Sequence, residues 1–139
     1  MARSIFEPCR ECACTALRKA SRAVTQHYET SMRGSGLRAT QFTVLSTLAQ
    51  TGPMPISKLA KFLGMERTTL TRNLVPLERR GLVETVGGDD DARIRRVAIT
   101  SAGEDAARHS LPAWKKAQAS VPRLLKQFGL ADMSLAITL

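Results

Sequence analysis

The middle of the chain constrains the fold most, because its pattern changes from helix to strand at short, defined intervals. Apolar residues at helical spacing predict a short helix over 58–63, which Gly64 ends, and a longer helix over 66–80. Two predicted strands, over 82–86 and 95–100, flank a loop rich in Gly and Asp. We therefore expect a helix pair that is followed directly by a β-hairpin.

This order of elements predicts a winged helix-turn-helix. Leu70 and Leu74 would pack the second helix on the first, so its outer side stays free to enter a DNA major groove. Arginine pairs with guanine edges, and Thr and Asn reach bases or phosphates. The same polar side chains also fit a plain solvated surface. The expected DNA contacts are Arg67, Thr68, Thr69, Thr71, Arg72 and Asn73 on the helix, and Arg93 and Arg95 on the hairpin.

Charge and length agree with a nucleic-acid partner. The 139 residues include 21 Lys or Arg against 12 Asp or Glu, for a formal net charge of +9. Such an excess favours a polyanion, although it is spread along the chain and locates no site. The length suits one domain and excludes a TIM barrel or a complete two-half dinucleotide-binding fold.

The remaining composition excludes several classes. No apolar run approaches the ~18 residues that span a membrane, and the start of the chain lacks the apolar core of a secretory signal. We therefore expect a cytoplasmic protein without a membrane partner. The odd set of Cys9, Cys12 and Cys14 does not form a disulfide framework.

Helical segments flank the predicted helix pair and hairpin, residues 58–100, on both sides. We call residues 58–100 the reading head. Residues 9–32 contain neither Pro nor Gly, and small or apolar residues recur there on one face of a long helix. A further helix is expected from residue 101, with Pro112 kinking or splitting it and Gly129 ending it. The chain is therefore expected to be mainly helical, with a small β-hairpin wing.

Several ordered motifs together resemble the MarR family of bacterial transcription regulators. They are Leu59-Ala60-x-x-Leu63, Leu70-Thr71-Arg72-Asn73-Leu74, Leu77-Glu78-Arg79-Arg80-Gly81-Leu82-Val83, Asp91-Ala92-Arg93 and Ile99-Thr100-x-x-Gly103. The resemblance implies a homodimer that binds double-stranded DNA, usually as a repressor released by a small-molecule effector or by oxidation. It makes the segment from Glu66 the recognition helix, and it has Asp91 orient Arg93 in the wing.

By the same resemblance, residues 1–139 form one domain. It comprises an N-terminal dimerisation helix (9–33), a winged DNA-binding region (38–100) and C-terminal dimerisation helices (101–139). The dimer would place two recognition helices about one DNA turn apart, so the operator should be pseudo-palindromic. Trp114 is expected to be a packing anchor rather than a ligand stacker. The interface would use the stripe 13–24 together with Leu111, Trp114, Val121, Leu124, Leu125, Phe128, Leu130, Leu135 and Ile137.

Three hypotheses concern the signal. Resemblance to the organic-hydroperoxide sensors of the family places Cys14 at the reactive thiol and Tyr28 at a tyrosine that contacts it from the partner subunit. In a helix the two lie roughly 21 Å apart, so they cannot touch within one chain. A small-molecule pocket could instead use Leu17, Tyr28, Arg38 and Phe42. In the third hypothesis the cysteines carry no signal and are only small packing residues. We expect no metal or other cofactor.

Other functional classes remain as alternatives. We expect no enzyme, because the sequence has no phosphate-binding glycine loop and no nucleophile elbow. A nonspecific architectural DNA-binding protein would show a steep salt dependence without operator preference. A thiol-based redox sensor could be the main role, and a protein-binding winged helix would keep its activity without Arg72 and Arg93.

Overall fold

A computed structural model describes residues 4–87 and 94–130 of the chain. Its helices and strands confirm the expected fold class, mainly helical with a small antiparallel sheet. None of the described helices is long and apolar enough to cross a membrane. In chain order the elements are a 3₁₀ helix (Glu7–Glu11), α1 (Ala13–Ser31), α2 (Ala39–Thr51), β1 (Met54–Pro55), α3 (Ile56–Phe62), α4 (Arg67–Arg79), β2 (Val83–Gly87), β3 (Arg95–Ile99) and α5 (Ser101–Lys126).

Four residues that the sequence singled out lie outside the described residues. Asp91 and Arg93 belong to the loop between β2 and β3, and Leu135 and Ile137 belong to the end of the chain. Their proposed roles in the wing and in the dimer stay predictions.

The helix pair forms as the sequence predicts. Gly64 follows α3 with a φ of +66°, a left-handed conformation that favours glycine and lets the chain turn sharply into α4. Leu59 of α3 and Leu70 and Leu77 of α4 are completely buried in one core with α2. Burying side chains of this size stabilises the arrangement by about 1.5–3 kcal/mol each, so the core fixes how α4 is presented.

The sheet has one more strand than predicted. Its order is β1-β3-β2, and all pairs are antiparallel. In the extra strand, Met54 pairs with Val97, and both side chains are buried. A strand of two residues has no periodicity to detect, and only the tertiary partner β3 makes it visible.

The N-terminal helix starts later than predicted. It was expected from residue 9, but α1 begins at Ala13, because Cys12 is extended with a ψ of 110°. Pro8 opens the separate 3₁₀ helix that precedes this break. Cys9 and Cys12 therefore do not lie on the long helix with Cys14.

Helix α5 continues without interruption through Pro112 and Pro122, so the expected split at Pro112 is wrong. Its buried face holds it together, since Ala117 and Val121 are each only 1% exposed. The loss of a backbone donor at each proline costs less than breaking this contact would.

Helices α1 and α5 run antiparallel. The Nε2 of His27 donates to the carbonyl oxygen of Ala117 at 2.9 Å. After α1 ends, the carbonyl oxygen of Ser35 accepts a hydrogen bond from Ser110 Oγ at 3.1 Å. Increasing residue numbers along α1 therefore match decreasing numbers along α5.

Candidate nucleic-acid interface

Helix α4 separates a buried apolar face from an exposed polar one. Leu70, Leu74 and Leu77 are at most 3% exposed and pack into the core. The intervening positions Arg67, Thr68, Thr69, Thr71 and Arg72 are all exposed. The structure thus brings together, on the outer side of one helix, the residues that the sequence proposed for DNA contact.

Two polar side chains of this face are also bonded to the helix itself. Thr71 Oγ1 donates to the carbonyl oxygen of Arg67 at 2.9 Å, and Asn73 Nδ2 donates to that of Thr69 at 2.9 Å. Such bonds to the preceding turn compete with contacts to a ligand. Asn73 is in addition half-buried, so Thr71 and Asn73 are less available to DNA than the arginines.

The arginines of α4 carry charges without an ion partner in the described ranges 4–87 and 94–130. Within those ranges, ion pairs form between Arg38 and Glu29 and between Arg108 and Asp105. Arg67 and Arg72 are therefore exposed cations on a rigid helix. Exposed arginines can form paired hydrogen bonds with phosphates or with guanine edges.

The hairpin is tied to the end of α4. Thr100 Oγ1 donates to the carbonyl oxygen of Gly81 at 2.6 Å, and Thr85 Oγ1 lies 3.4 Å from Glu78 Oε1. Arg95 is exposed at the first position of β3, opposite Gly87. The described part of the wing thus holds Arg95 on the same reading head as α4.

The structure adds two cations that the sequence reasoning did not select. Lys58 and Lys61 are exposed on α3, the helix that precedes the recognition helix. In helix-turn-helix proteins this first helix crosses the DNA backbone. Two lysines three residues apart on one predicted helix face were the signal that could have found them.

The proposed sensory residues Cys14 and Tyr28 are not brought together within one chain. Both lie on α1, and the Tyr28 hydroxyl donates to Gln118 Oε1 of α5. Burial raises the pKa of Tyr28, so the phenol stays protonated and can act as the hydrogen-bond donor. The Sγ of Cys14 instead lies 3.5 Å from Nη2 of Arg18.

The local structure lowers the pKa of Cys12. The Thr15 hydroxyl, followed by the backbone N–H groups of Thr15 and Cys14, lowers the pKa of Cys12. These groups stand at the start of α1, where N–H groups have no helical partner and stabilise a thiolate. All three cysteines are free and exposed. The resemblance pointed to Cys14, whereas the lowered pKa of Cys12 depends on the break before Ala13, which was not predicted.

Among the residues that the structure describes, no three His, Cys, Asp or Glu side chains gather as a metal site. The three cysteines lie in different local structures: Cys9 in the 3₁₀ helix, Cys12 at the extended position after it, and Cys14 in α1.

Of the residues proposed for an effector pocket, Phe42 lines a groove in the described structure. A groove of about 360 Å³ between α2 and α5 includes Phe42 in its wall but not Leu17, Tyr28 or Arg38. Leu17 is 50% exposed on α1, and Arg38 Nε lies 3.7 Å from Glu29 Oε2. Trp114 stacks on the rings of both Tyr28 and Phe42.

Comparison with known proteins agrees with this geometry. Residues 37–94 match the model of the MarR family. The M. tuberculosis transcriptional regulator MosR is 35% identical, with a TM-score of 0.72, over 89% of this chain and 93% of that one. The chain belongs to the MarR family. A second structure of MosR, in complex with DNA, is 36% identical over 86% of this chain and 93% of that chain, with a TM-score of 0.69.

A curated relative of this MarR-family chain supports the same class. The HTH-type transcriptional regulator YwoH of Bacillus subtilis, itself uncharacterised, is 28% identical over 88 residues. That match spans 63% of this chain and 64% of YwoH. These relatives are transcriptional regulators rather than enzymes, in agreement with the expectation from the sequence.

Proposed function

We propose that this chain is a homodimeric, sequence-specific DNA-binding regulator, and that it represses transcription from a pseudo-palindromic operator. The observation that carries the proposal is the exposed face of α4, where Arg67 and Arg72 have no ion partner among the described residues. The similarity to MosR, a regulator whose structure includes DNA, supports the same use of this face.

In this proposal α4 enters the major groove, and Arg72 pairs with a guanine edge. Lys58 and Lys61 contact the DNA backbone beside it, and Arg95 does so from the wing. Asp91 and Arg93, which lie outside the described residues, keep the wing roles that the family resemblance implies.

The working unit is proposed to be a dimer because one chain offers a single reading head. The N-terminal half of α1 exposes Leu17, and α5 packs along the other half of the same helix. Two chains related by a two-fold axis would present two copies of α4 to successive major grooves, about 34–36 Å apart.

Replacing Arg72 by alanine is expected to weaken operator binding by about 1–3 kcal/mol, because a bidentate contact to guanine is lost. Binding to random DNA should fall much less. The matched control is Arg123→Ala, which removes the same charge from an exposed site near the end of α5. The affinities of each variant for operator and random duplexes, titrated at one salt concentration, measure the difference.

Equal losses on operator and random DNA would contradict a base contact by Arg72. The function itself is tested by a gel shift on DNA upstream of the chain's own gene. An architectural protein would retard every fragment alike, with a strong dependence on salt. The absence of a shift on every upstream fragment would overturn the proposal.

A second element of the proposal is the signal, which we infer to be oxidation of the exposed N-terminal thiols. Thr15 lowers the pKa of Cys12, which favours its thiolate, and the exposed Sγ of Cys14 lies 3.5 Å from Nη2 of Arg18. The thiolate attacks the terminal hydroxyl oxygen of a hydroperoxide, an S–O bond forms as the O–O bond breaks, and the alkoxide that leaves takes up a proton from water and becomes an alcohol. The sulfur is oxidised to a sulfenic acid.

We expect hydroperoxide to release the protein from DNA, and we expect the double variant Cys12→Ser/Cys14→Ser to stay bound. Gel shifts before and after oxidation measure this release, and Cys9→Ser is the matched control from the same segment. Each single variant identifies the thiol that reacts. Release that persists in the double variant would contradict thiol sensing and favour a small-molecule effector.

A further inference from the structure

No side chain of the N-terminal arm, residues 4–18, is buried within its own chain. Every residue of this arm is exposed, although it contains a 3₁₀ helix and the start of α1. Ile5 is 85% exposed, and Phe6 is 68% exposed. Short helical segments are marginal in water without a packed face. A second surface that covers Ile5 and Phe6 would therefore stabilise the arm.

The groove between α2 and α5 has the complementary features. Its walls include the apolar residues Phe42, Ala49 and Leu111, and its volume is about 360 Å³. Glu104 and Arg108 stand at its α5 side, so its edge carries both signs of charge. An open groove of this composition suits a short apolar segment with charged neighbours.

The arm cannot reach the groove of its own chain. Helices α1 and α5 are antiparallel, and the hydrogen bond from His27 to Ala117 joins them near the middle. From this bond, the start of α1 and the groove lie in opposite directions. Arg108 is about 14 Å away toward the start of α5, and Ala13 is about 21 Å away toward the start of α1, at 1.5 Å per residue. The groove and the start of α1 therefore lie about 35 Å apart along the helix axes, whereas the segment from Phe6 to Ala13 spans at most about 25 Å when extended.

We propose that the groove of each chain receives the N-terminal arm of a second copy, with Phe6 as the side chain that enters it. The inference rests on the homodimer proposed above and specifies what joins its two chains. In a two-fold symmetric dimer the same contact occurs twice, because each chain contributes one arm and one groove. The aromatic ring of Phe6 packs against Phe42 and Leu111.

Charge favours the same occupant. Glu7 follows Phe6 directly, and Arg10 lies one turn further along the 3₁₀ helix. These two charges are opposite in sign to Arg108 and Glu104 of the groove wall, where Arg108 also pairs with Asp105 at 3.2 Å. Helix α2 packs against α4, so the arm would contact the helix behind the recognition helix of the partner.

Photo-crosslinking of the full-length chain tests this contact. Phe6 is replaced by p-benzoyl-phenylalanine, and isotope-labelled protein is mixed with unlabelled protein before irradiation. We expect crosslinks that join a labelled chain to an unlabelled one, at residues 42–50 or 104–111. The same probe at Val75, 39% exposed on α4, is the control and should not label this groove. Crosslinks confined to one chain, or to other elements, would overturn the inference.

The dimer constant gives an independent measurement that does not need the bulky probe. Phe6→Ala should raise the dimer dissociation constant at least tenfold, because each dimer loses two buried aromatic contacts. Val75→Ala should leave it unchanged in sedimentation. If the protein is a dimer that binds operator, and Phe6→Ala leaves its dimer dissociation constant unchanged, the arm contact alone is refuted. A wild-type chain that is monomeric and binds no DNA would refute the proposed function as well.

Discussion

Replacing Gly103 by alanine is expected to lower the free energy of unfolding by about 2–3 kcal/mol, as overpacking of a rigid site does. Gly103 is buried in the first turn of α5, against the segment that connects α4 to the wing. A Cβ there would overlap the carbonyl oxygen of Leu82 and lie 2.8 Å from Cγ1 of Ile99. The Leu82 oxygen is held in place because it accepts from the backbone N–H of Thr100 at 3.1 Å.

The sign of this effect is opposite to that of intrinsic helix propensity. Alanine normally stabilises a helix interior by about 0.5–1 kcal/mol relative to glycine. Ala102→Gly, at the exposed neighbouring position, is the matched control and should cost only that amount. Urea denaturation followed by circular dichroism measures both variants. An unchanged or raised stability of Gly103→Ala would show that α5 does not pack this closely on the wing connection.

Replacing Trp114, which is half-buried against the core, by alanine is expected to lower the free energy of unfolding by about 3 kcal/mol, the lower end of the range for losing a large aromatic side chain. Trp114 of α5 stacks on Phe42 of α2 with ring centroids 5.8 Å apart, and on Tyr28 of α1 at 6.5 Å. One ring thus joins three helices, and its removal leaves a void between them.

Trp114→Phe is the control for this prediction, because it keeps an aromatic ring in the stack and should recover most of the stability. Circular dichroism serves as the probe, since Trp114 is the only tryptophan of the chain. If Trp114→Ala unfolded at the wild-type denaturant concentration, the side chain would be a surface group and not the anchor of the three helices.

Local sequence patterns predicted the reading head well. The spacing of Leu70, Leu74 and Leu77 depends on a single helix, so it fixed both the bounds of α4 and the side that faces outward. The exposure of Arg67 and Arg72 follows from the same periodicity. The bonds that Thr71 and Asn73 make to their own helix depend on side-chain rotamers, which no periodicity reports.

Elements that depend on distant partners were missed or misplaced. The two residues of β1 become a strand only by pairing with β3. Pro112 lies inside an unbroken α5, because the buried face of the helix outweighs the lost backbone donor. The effector pocket proposed from Leu17, Tyr28, Arg38 and Phe42 stays a prediction, because only Phe42 of these four lines the groove between α2 and α5.

The sequence by itself determined a helix pair with an outward polar face, a hairpin after it and helices on both sides. These features are encoded in spacings of a few residues, where the period of the backbone dictates which side chains share a face. Only the tertiary structure decided the antiparallel packing of α1 on α5, and with it the separation of the N-terminal arm from the groove. That arrangement depends on contacts between residues about 90 positions apart, such as His27 and Ala117, which local patterns do not record.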